Sequence, residues 1–193
     1  MGEDSNDEDL ALMARIAKGD EKAFGTLVAK HQHAVIGTVG KMTNQSADTE
    51  DIAQQIFLRI WKAAPRYTPT AKFTTFLFTI ARNLVFNETR KKSRRKEHSL
   101  EEQQDKWHAT AADQNPSSRP DQSLAQQELR QLVDQAIAAL PEKQRLAVVL
   151  RLFEQMPYEE IAEVLELSVS VVKSQLFRAR ATLRKSLQPY LDE

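Results

Sequence analysis

The sequence predicts an all-α protein of two small helical domains joined by a polar linker, the second containing a helix-turn-helix. Three observations carry that expectation. Only five Gly and seven Pro occur in 193 residues, so breaks in regular structure are few. Apolar residues recur at three- and four-residue intervals nearly throughout, the spacing of one helix face. The pattern stops from Glu97 to about Gln122, where "EHSLEEQQDKWHATAADQNPSSRPDQ" is polar and carries Pro116 and Pro120; such a stretch reads as a linker. The domains are set at 8–96 and 123–190, with 97–122 as the linker and 1–7 as an acidic N-terminal tail.

Leu10, Met13 and Ile16 to Ala17 mark a first helix, which ends at Gly19, a residue suited to the left-handed C-cap position. Asp20 can cap a second helix with Phe24, Leu27, Val28, Val35 and Val39 on its apolar side. Ser46 can cap a third, in which Ile52, Ile56, Leu58, Ile60 and Trp61 recur at helical spacing. Pro65 and Pro69 make "PRYTPTAK" a loop. A fourth helix from about Phe73 turns Phe76, Leu77, Ile80 and Leu84 toward a core and runs into the basic "RKKSRRK" of Arg90–Lys96. After the linker the helical pattern resumes from Leu124 to Leu140. Pro141 fits the first turn of the next helix, where its missing N–H costs nothing. Met156–Pro157 breaks the pattern again.

Charge is balanced overall, 27 bases against 27 acids, but not locally. Met1–Asp9 holds five acids and no base, and reads as a solvated, disordered end. Arg82–Lys96 holds seven bases against Glu88, and Leu167–Leu191 holds five bases and no acid. Two basic surfaces in a neutral chain suggest a polyanion touched at two places, or ordinary solvated helix faces.

The stretch "YEEIAEVLELSVSVVKSQLFRARATLRK" has the apolar spacing of a helix-turn-helix: Ile161, Ala162, Leu165, Leu167 and Val172 face inward, and Ser168 can cap the second helix. Lys173, Ser174, Phe177 and Arg178 fall on one outer side of that helix. Lys and Arg donate to guanine edges, and Phe meets a thymine methyl. Gln175, Arg180 and Arg184 lie further round and suit phosphates. Glu166 stands in the turn where a left-handed Gly is common. The same shape also packs in protein-only bundles, so the stretch by itself leaves its partner open.

The first half holds "DTEDIAQQIFLRIWKAAPRYTPTAKFTTFLFTIARNLVFNETRKKSRR", an acid-led amphipathic helix, a Pro-containing loop, an aromatic-rich helix and a basic end. This resembles region two of the extracytoplasmic-function sigma factors of bacterial RNA polymerase. "LPEKQRLAVVLRLFEQMPYEEIAEVLELSVSVVKSQLFRARATLRK" resembles region four of the same family. Together the two resemblances span almost the whole chain, Leu10 to Leu187, in the family's order.

The resemblance implies a subunit that loads on core polymerase and directs promoter-specific initiation. The polymerase-binding surface, on the β′ clamp helices, would be Asp48, Glu50, Asp51, Gln54, Gln55, Leu58 and Trp61, with the β flap as a second contact. Acids and amides on an exposed helix can meet a basic partner; Asp48, Glu50 and Asp51 also suit the positive end of their own helix. The loop from Tyr67 to Lys72 would receive a base flipped out of the minus-ten element, and Phe76, Arg82, Asn83, Asn87, Arg90 and Lys91 would contact that element during melting. Lys173, Ser174, Phe177 and Arg178 would read the minus-thirty-five element, with Gln175 and Arg180 on its backbone. The linker acids Glu101, Glu102 and Asp105 would imitate nucleic acid in the polymerase channel. An anti-sigma factor is the partner the resemblance implies for regulation.

No catalytic constellation stands out. There is no cysteine and no phosphate-binding Gly-rich loop. His31 and His33, two apart on a helix, cannot face one metal, and His98 and His108 fall in the linker. No enzyme, metal or cofactor is therefore expected. No signal peptide or membrane span is expected either, and the default location is cytoplasmic. Two rivals remain at this point. One is a stand-alone helix-turn-helix transcriptional regulator, which would bind duplex without polymerase. The other is a helical adaptor that binds only protein, in which Lys173 and Arg178 would be dispensable.

Overall fold

Residues 2–102 and 124–190 are described by the structure, a computed structural model, and all of their regular structure is helical. The first half comprises α1 (Gly2–Ile16), α2 (Glu21–Thr43), α3 (Thr49–Ala63) and α4 (Phe73–Glu102). Gly19 takes a left-handed φ of 86° between α1 and α2. The Asp20 side chain accepts from the Ala23 N–H at 3.0 Å and so caps α2, as its residue type requires. Arg15 adds an ion pair to Asp20 at 2.8 Å. A single 3₁₀ turn, Ala64–Arg66, follows α3, and the chain then runs extended and bent to Lys72. The two prolines expected to interrupt the helix there do so.

Three expectations need correction. The acidic N-terminus is not a disordered end: α1 begins at Gly2, and Glu8 and Asp9 are held from α2. Lys30 reaches Glu8 at 2.7 Å, Asp9 at 2.8 Å and the Ser5 carbonyl at 3.0 Å. Asp9, buried, also meets His31 Nε2 at 3.0 Å. Ser46 does not cap α3 with its hydroxyl; its carbonyl accepts from the Thr49 N–H and hydroxyl, and the helix starts two residues later than expected, after Asp48. Finally, α4 does not end at the basic run but stays helical to Glu102, beyond the expected boundary at 96. Lys and Arg are good helix formers, so charge alone gives no reason to stop there. The rest of the linker, with Asp105 and His108, and the side chains of Glu101, Glu102 and His98 lie outside the described residues.

The second half comprises α5 (Leu124–Ala138), α6 (Glu142–Leu152), α7 (Tyr158–Leu165) and α8 (Val169–Leu187). Pro141 stands at the N-cap of α6 and Pro157 at that of α7. Arg145 on α6 ties the α5–α6 corner by donating to the carbonyls of Ala138 and Leu140.

The two halves pack on each other. α2 lies against α5 and α6, and α4 lies against α7. Buried side chains form one continuous cluster, from Leu12, Leu27, Ile56 and Leu77 in the first half to Leu146, Ile161 and Val172 in the second. Polar bridges line the seam. Arg145 donates to the Met42 carbonyl at 2.8 Å, Lys41 pairs with Asp134 at 3.2 Å, and Thr38 donates to Glu154 at 3.2 Å. The Lys41 ammonium also sits 4.3 Å from the centre of the Phe153 ring, within cation–π range.

Candidate nucleic-acid interface

Three surfaces gather the residues singled out from the sequence. The first is on α3. Asp48, Glu50, Asp51, Gln54, Gln55 and Leu58 are all exposed, Leu58 by 53%. Asp48, Asp51, Gln55 and Leu58 follow three- and four-residue steps and so form one stripe. Its inner face buries Ile52, Ala53, Ile56, Phe57 and Ile60, which fixes the stripe outward. Trp61 is half-buried and packs edge-on against Phe24, with ring centres 5.0 Å apart. It therefore offers a rigid rim. Lys92 from α4 reaches across to Asp48 at 2.8 Å.

The second surface is the loop after α3 and the first three turns of α4. Phe73, Leu77, Phe78, Ala81 and Leu84 are buried. Phe76 is half-buried at the edge of this core, where Tyr67 packs on it with ring centres 4.7 Å apart. A cleft of about 210 Å³ opens beside this pair, walled by Tyr67, Thr70, Thr75, Phe76, Thr79 and, from α7, Glu163. The hydroxyls of Tyr67 and Thr75 are themselves fully buried, without a hydrogen-bond partner among the described residues. Burial pushes the Tyr67 phenol above its ordinary value, with the Asp9 carboxylate adding to the effect.

Two cations of this surface are engaged by α7. Lys72 pairs with Glu160 at 2.7 Å. Arg82 is only 7% exposed. Its guanidinium donates to the Val164 carbonyl at 2.7 Å, to Glu166 at 2.7 Å and to the neighbouring Asn83 amide oxygen at 2.7 Å. Asn83, Asn87, Arg90 and Lys91 are exposed further along α4, where Lys91 pairs with Glu88 at 2.6 Å. The fold thus gathers Tyr67, Lys72, Phe76 and Arg82 beside one cleft, with α7 lying over it.

The third surface is α8. The Ser168 side chain accepts from the Val171 N–H at 3.4 Å and starts the helix. Val172, Leu176 and Ala179 are buried, which turns Lys173, Ser174, Phe177, Arg178 and Arg180 to solvent. Gln175 is half-buried, and Phe177 is 75% exposed, an unusual setting for a large apolar ring unless it meets a partner. Lys173 lies 5.9 Å from the centre of the Tyr158 ring. Glu166 holds the left-handed turn position with φ 54° and ψ 49°. A residue with a Cβ is disfavoured there by about 1–2 kcal/mol. Its carboxylate nevertheless has a use, since the Arg82 guanidinium holds it below the ordinary carboxylate range.

Sequence reasoning missed the residues that join the surfaces: Asn6, Arg145, Glu154, Glu160 and Glu163. Each carries an unremarkable local pattern, and each acquires its role from a partner far along the chain. Asn6, for example, accepts from the Phe73 N–H at 2.9 Å and so caps α4 from α1. Among the described residues no three His, Asp or Glu side chains are grouped to hold a metal ion, and no helix is long and apolar enough to cross a membrane.

Comparison with known proteins matches this arrangement in both halves. Residues 27–95 match the family "Sigma-70 region 2" and residues 130–183 match "Sigma-70, region 4". The RNA polymerase sigma-H factor of Pseudomonas aeruginosa is 33% identical over 191 residues, covering 98% of each chain. The ECF RNA polymerase sigma-E factor of Escherichia coli K12 is 33% identical over 184 residues, 95% of this chain and 96% of that one. Among solved structures, CnrH in complex with the cytosolic domain of CnrY is 27% identical, with a TM-score of 0.70 over 94% of this chain and 98% of that one. RpoE of Bartonella quintana, solved with the anti-sigma factor NepR, shares the fold at 22% identity and a TM-score of 0.70, over 86% of this chain and 98% of that one.

Proposed function

Since this chain belongs to the extracytoplasmic-function group of the bacterial sigma-70 factors, we propose a division of its work among the three surfaces. The exposed stripe of α3, from Asp48 to Leu58 with Trp61 at its rim, docks on core polymerase, at the β′ clamp helices. The loop 67–72 and α4 take the minus-ten element: the cleft at Tyr67 and Phe76 receives an extruded base, and Lys72, Arg82, Asn83, Asn87, Arg90 and Lys91 hold the strand around it. The outward face of α8 reads the minus-thirty-five element.

The observation that carries this reading is the cleft beside Tyr67 and Phe76. It joins the aromatic walls of Tyr67 and Phe76 to the threonines Thr68, Thr70, Thr75 and Thr79. An unstacked base offers a π-face and hydrogen-bonding edges to such a site. A base still inside the duplex cannot enter, so the cleft captures melted DNA and so draws the equilibrium toward opening. Neither DNA contact needs high affinity alone, because loading both on one polymerase makes the second contact intramolecular. RNA synthesis itself stays with the core enzyme, and the chain supplies recognition rather than catalysis. Its place of action is therefore the cytoplasm, where polymerase is. The exposed acidic stripe on α3 favours this reading over a stand-alone regulator or an adaptor, neither of which requires it. An anti-sigma factor belongs to the same proposal, in keeping with the complexes in which CnrH and RpoE were solved.

Thymine reactivity to permanganate tests the division directly. Holoenzyme made with the native chain should render minus-ten thymines reactive. Tyr67→Ala and Asn87→Ala should reduce that reactivity while leaving polymerase binding intact. Loss of polymerase binding instead would move these residues out of the DNA-opening role.

A further inference from the structure

α7 carries Glu159, Glu160 and Glu163 with no base, and Glu166 follows at its C-cap. Glu160, Glu163 and Glu166 are three residues apart, which puts them along one side of the helix. That side faces the first turns of α4. Glu160 meets Lys72, Glu163 walls the cleft beside Tyr67 and Phe76, and Glu166 meets Arg82. The order of the acids along α7 follows the order of cation, cleft and cation from the loop into α4. The other two surfaces are left open, since the α3 stripe and the reading face of α8 stay exposed.

We propose that this side of α7 is an internal stand-in for promoter DNA, its carboxylates occupying in the free chain the groups that hold the melted strand after the chain opens. The inference rests on the assignment of loop 67–72 and α4 to the minus-ten element. Arg82 gives it most support. A guanidinium this buried requires hydrogen-bonded partners, and two of those it has, the Val164 carbonyl and the Glu166 carboxylate, come from the other half. Glu166 adds a second argument. Glycine would relieve its left-handed backbone but would supply no carboxylate. The contact is also suited to release. The Lys72 side chain is 47% exposed, so a polyanion can begin to compete for it, while Arg82, its side chain 8% exposed, is uncovered only as α7 lifts away.

The chain has no cysteine, so Lys62→Cys on α3 and Lys185→Cys on α8 allow a donor and an acceptor dye to report the separation of the halves. The test variant is Glu160→Gln, Glu163→Gln and Glu166→Gly together. The control removes the same charge elsewhere, through Glu21→Gln, Glu128→Gln and Glu159→Gln, all exposed positions. The test variant should lose energy transfer and bind a fluorescent single-stranded oligonucleotide about fivefold more tightly, because more of the chain is competent to bind. The control should do neither. Unchanged energy transfer in the test variant, or equal tightening in the control, would overturn the proposal. Loss of energy transfer without tighter binding would also overturn it, since the face uncovered would then not be one for nucleic acid. Energy transfer involves no DNA, and run-off transcription by the native chain with core polymerase involves no variant, so a failed stand-in and a failed sigma assignment give different results.

Discussion

Glu154 sits at the seam between the halves, where burial raises its carboxyl above the ordinary value, while the hydrogen bond from Thr38 and the nearby His31 pull the other way. A carboxyl whose folded value is raised favours the packed state when protonated. Its contribution is fully present below its ordinary value of 4.5 and is lost as pH rises through the raised one. At neutral pH the ionised form therefore weighs against closure. Glu154→Gln keeps an acceptor for Thr38 and removes the charge, so it should raise Tm at pH 7 by about 1–3 °C. The gain should vanish near pH 4, and calorimetry at the two pH values checks it. Glu166 works in the opposite sense, because its value is lowered by Arg82: its pair is present above 4.5 and fades as pH falls through the lowered value. Arg145 shows what a half-buried cation does when carbonyls surround it. Burial lowers its pKa, yet it serves three carbonyls on both sides of the seam. Arg145→Leu should cost about 2–4 kcal/mol of stability in urea unfolding, the scale of losing charge-assisted bonds to buried carbonyls. On α8, Arg178→Ala should cost about 1–3 kcal/mol at one upstream base pair and relax preference there. A uniform loss across all sequences would make Arg178 a phosphate contact.

At the scale of elements, periodicity and caps were legible and long-range partners were not. Asp20 and Ser168 cap the helices their residue types suggest, and Pro65, Pro141 and Pro157 mark real breaks. α1 escaped because Glu8 and Asp9 look solvated until Lys30 and His31 of α2 are brought beside them, which no local pattern reveals. α4 overran its expected end because a basic run is compatible with a helix as well as with a loop. Of the surfaces, the α3 residues were singled out by the family resemblance, whereas the α8 face followed from spacing. Arg82 did not: spacing offers it to a polyanion, and only the packed chain turns it to Glu166. The α3 assignment has its own test. Asp51→Lys reverses charge at an exposed position and leaves the buried face untouched. It should weaken binding to core polymerase at least about tenfold, the loss of roughly 1.4 kcal/mol, with unchanged circular dichroism. Unchanged binding would remove α3 from the docking surface.

For the whole molecule, the sequence could divide the chain into helical halves but could not say how they sit. The seam joins residues far apart in sequence, such as Lys41 with Asp134, 93 positions on, and Thr38 with Glu154, 116 positions on, and ordinary surface residues supply it. In the scheme proposed here, that arrangement gives two stages: a closed chain shows the faces assigned to polymerase docking and upstream reading, and an opened one shows the face assigned to melted DNA. The most direct measurement of the central claim is run-off transcription from a library of promoter fragments, with core polymerase and the purified chain added or withheld. The account predicts transcripts that depend on the chain and come from templates sharing two elements at a fixed spacing. Tight duplex binding by the chain alone, with no chain-dependent transcript from any template, would contradict it.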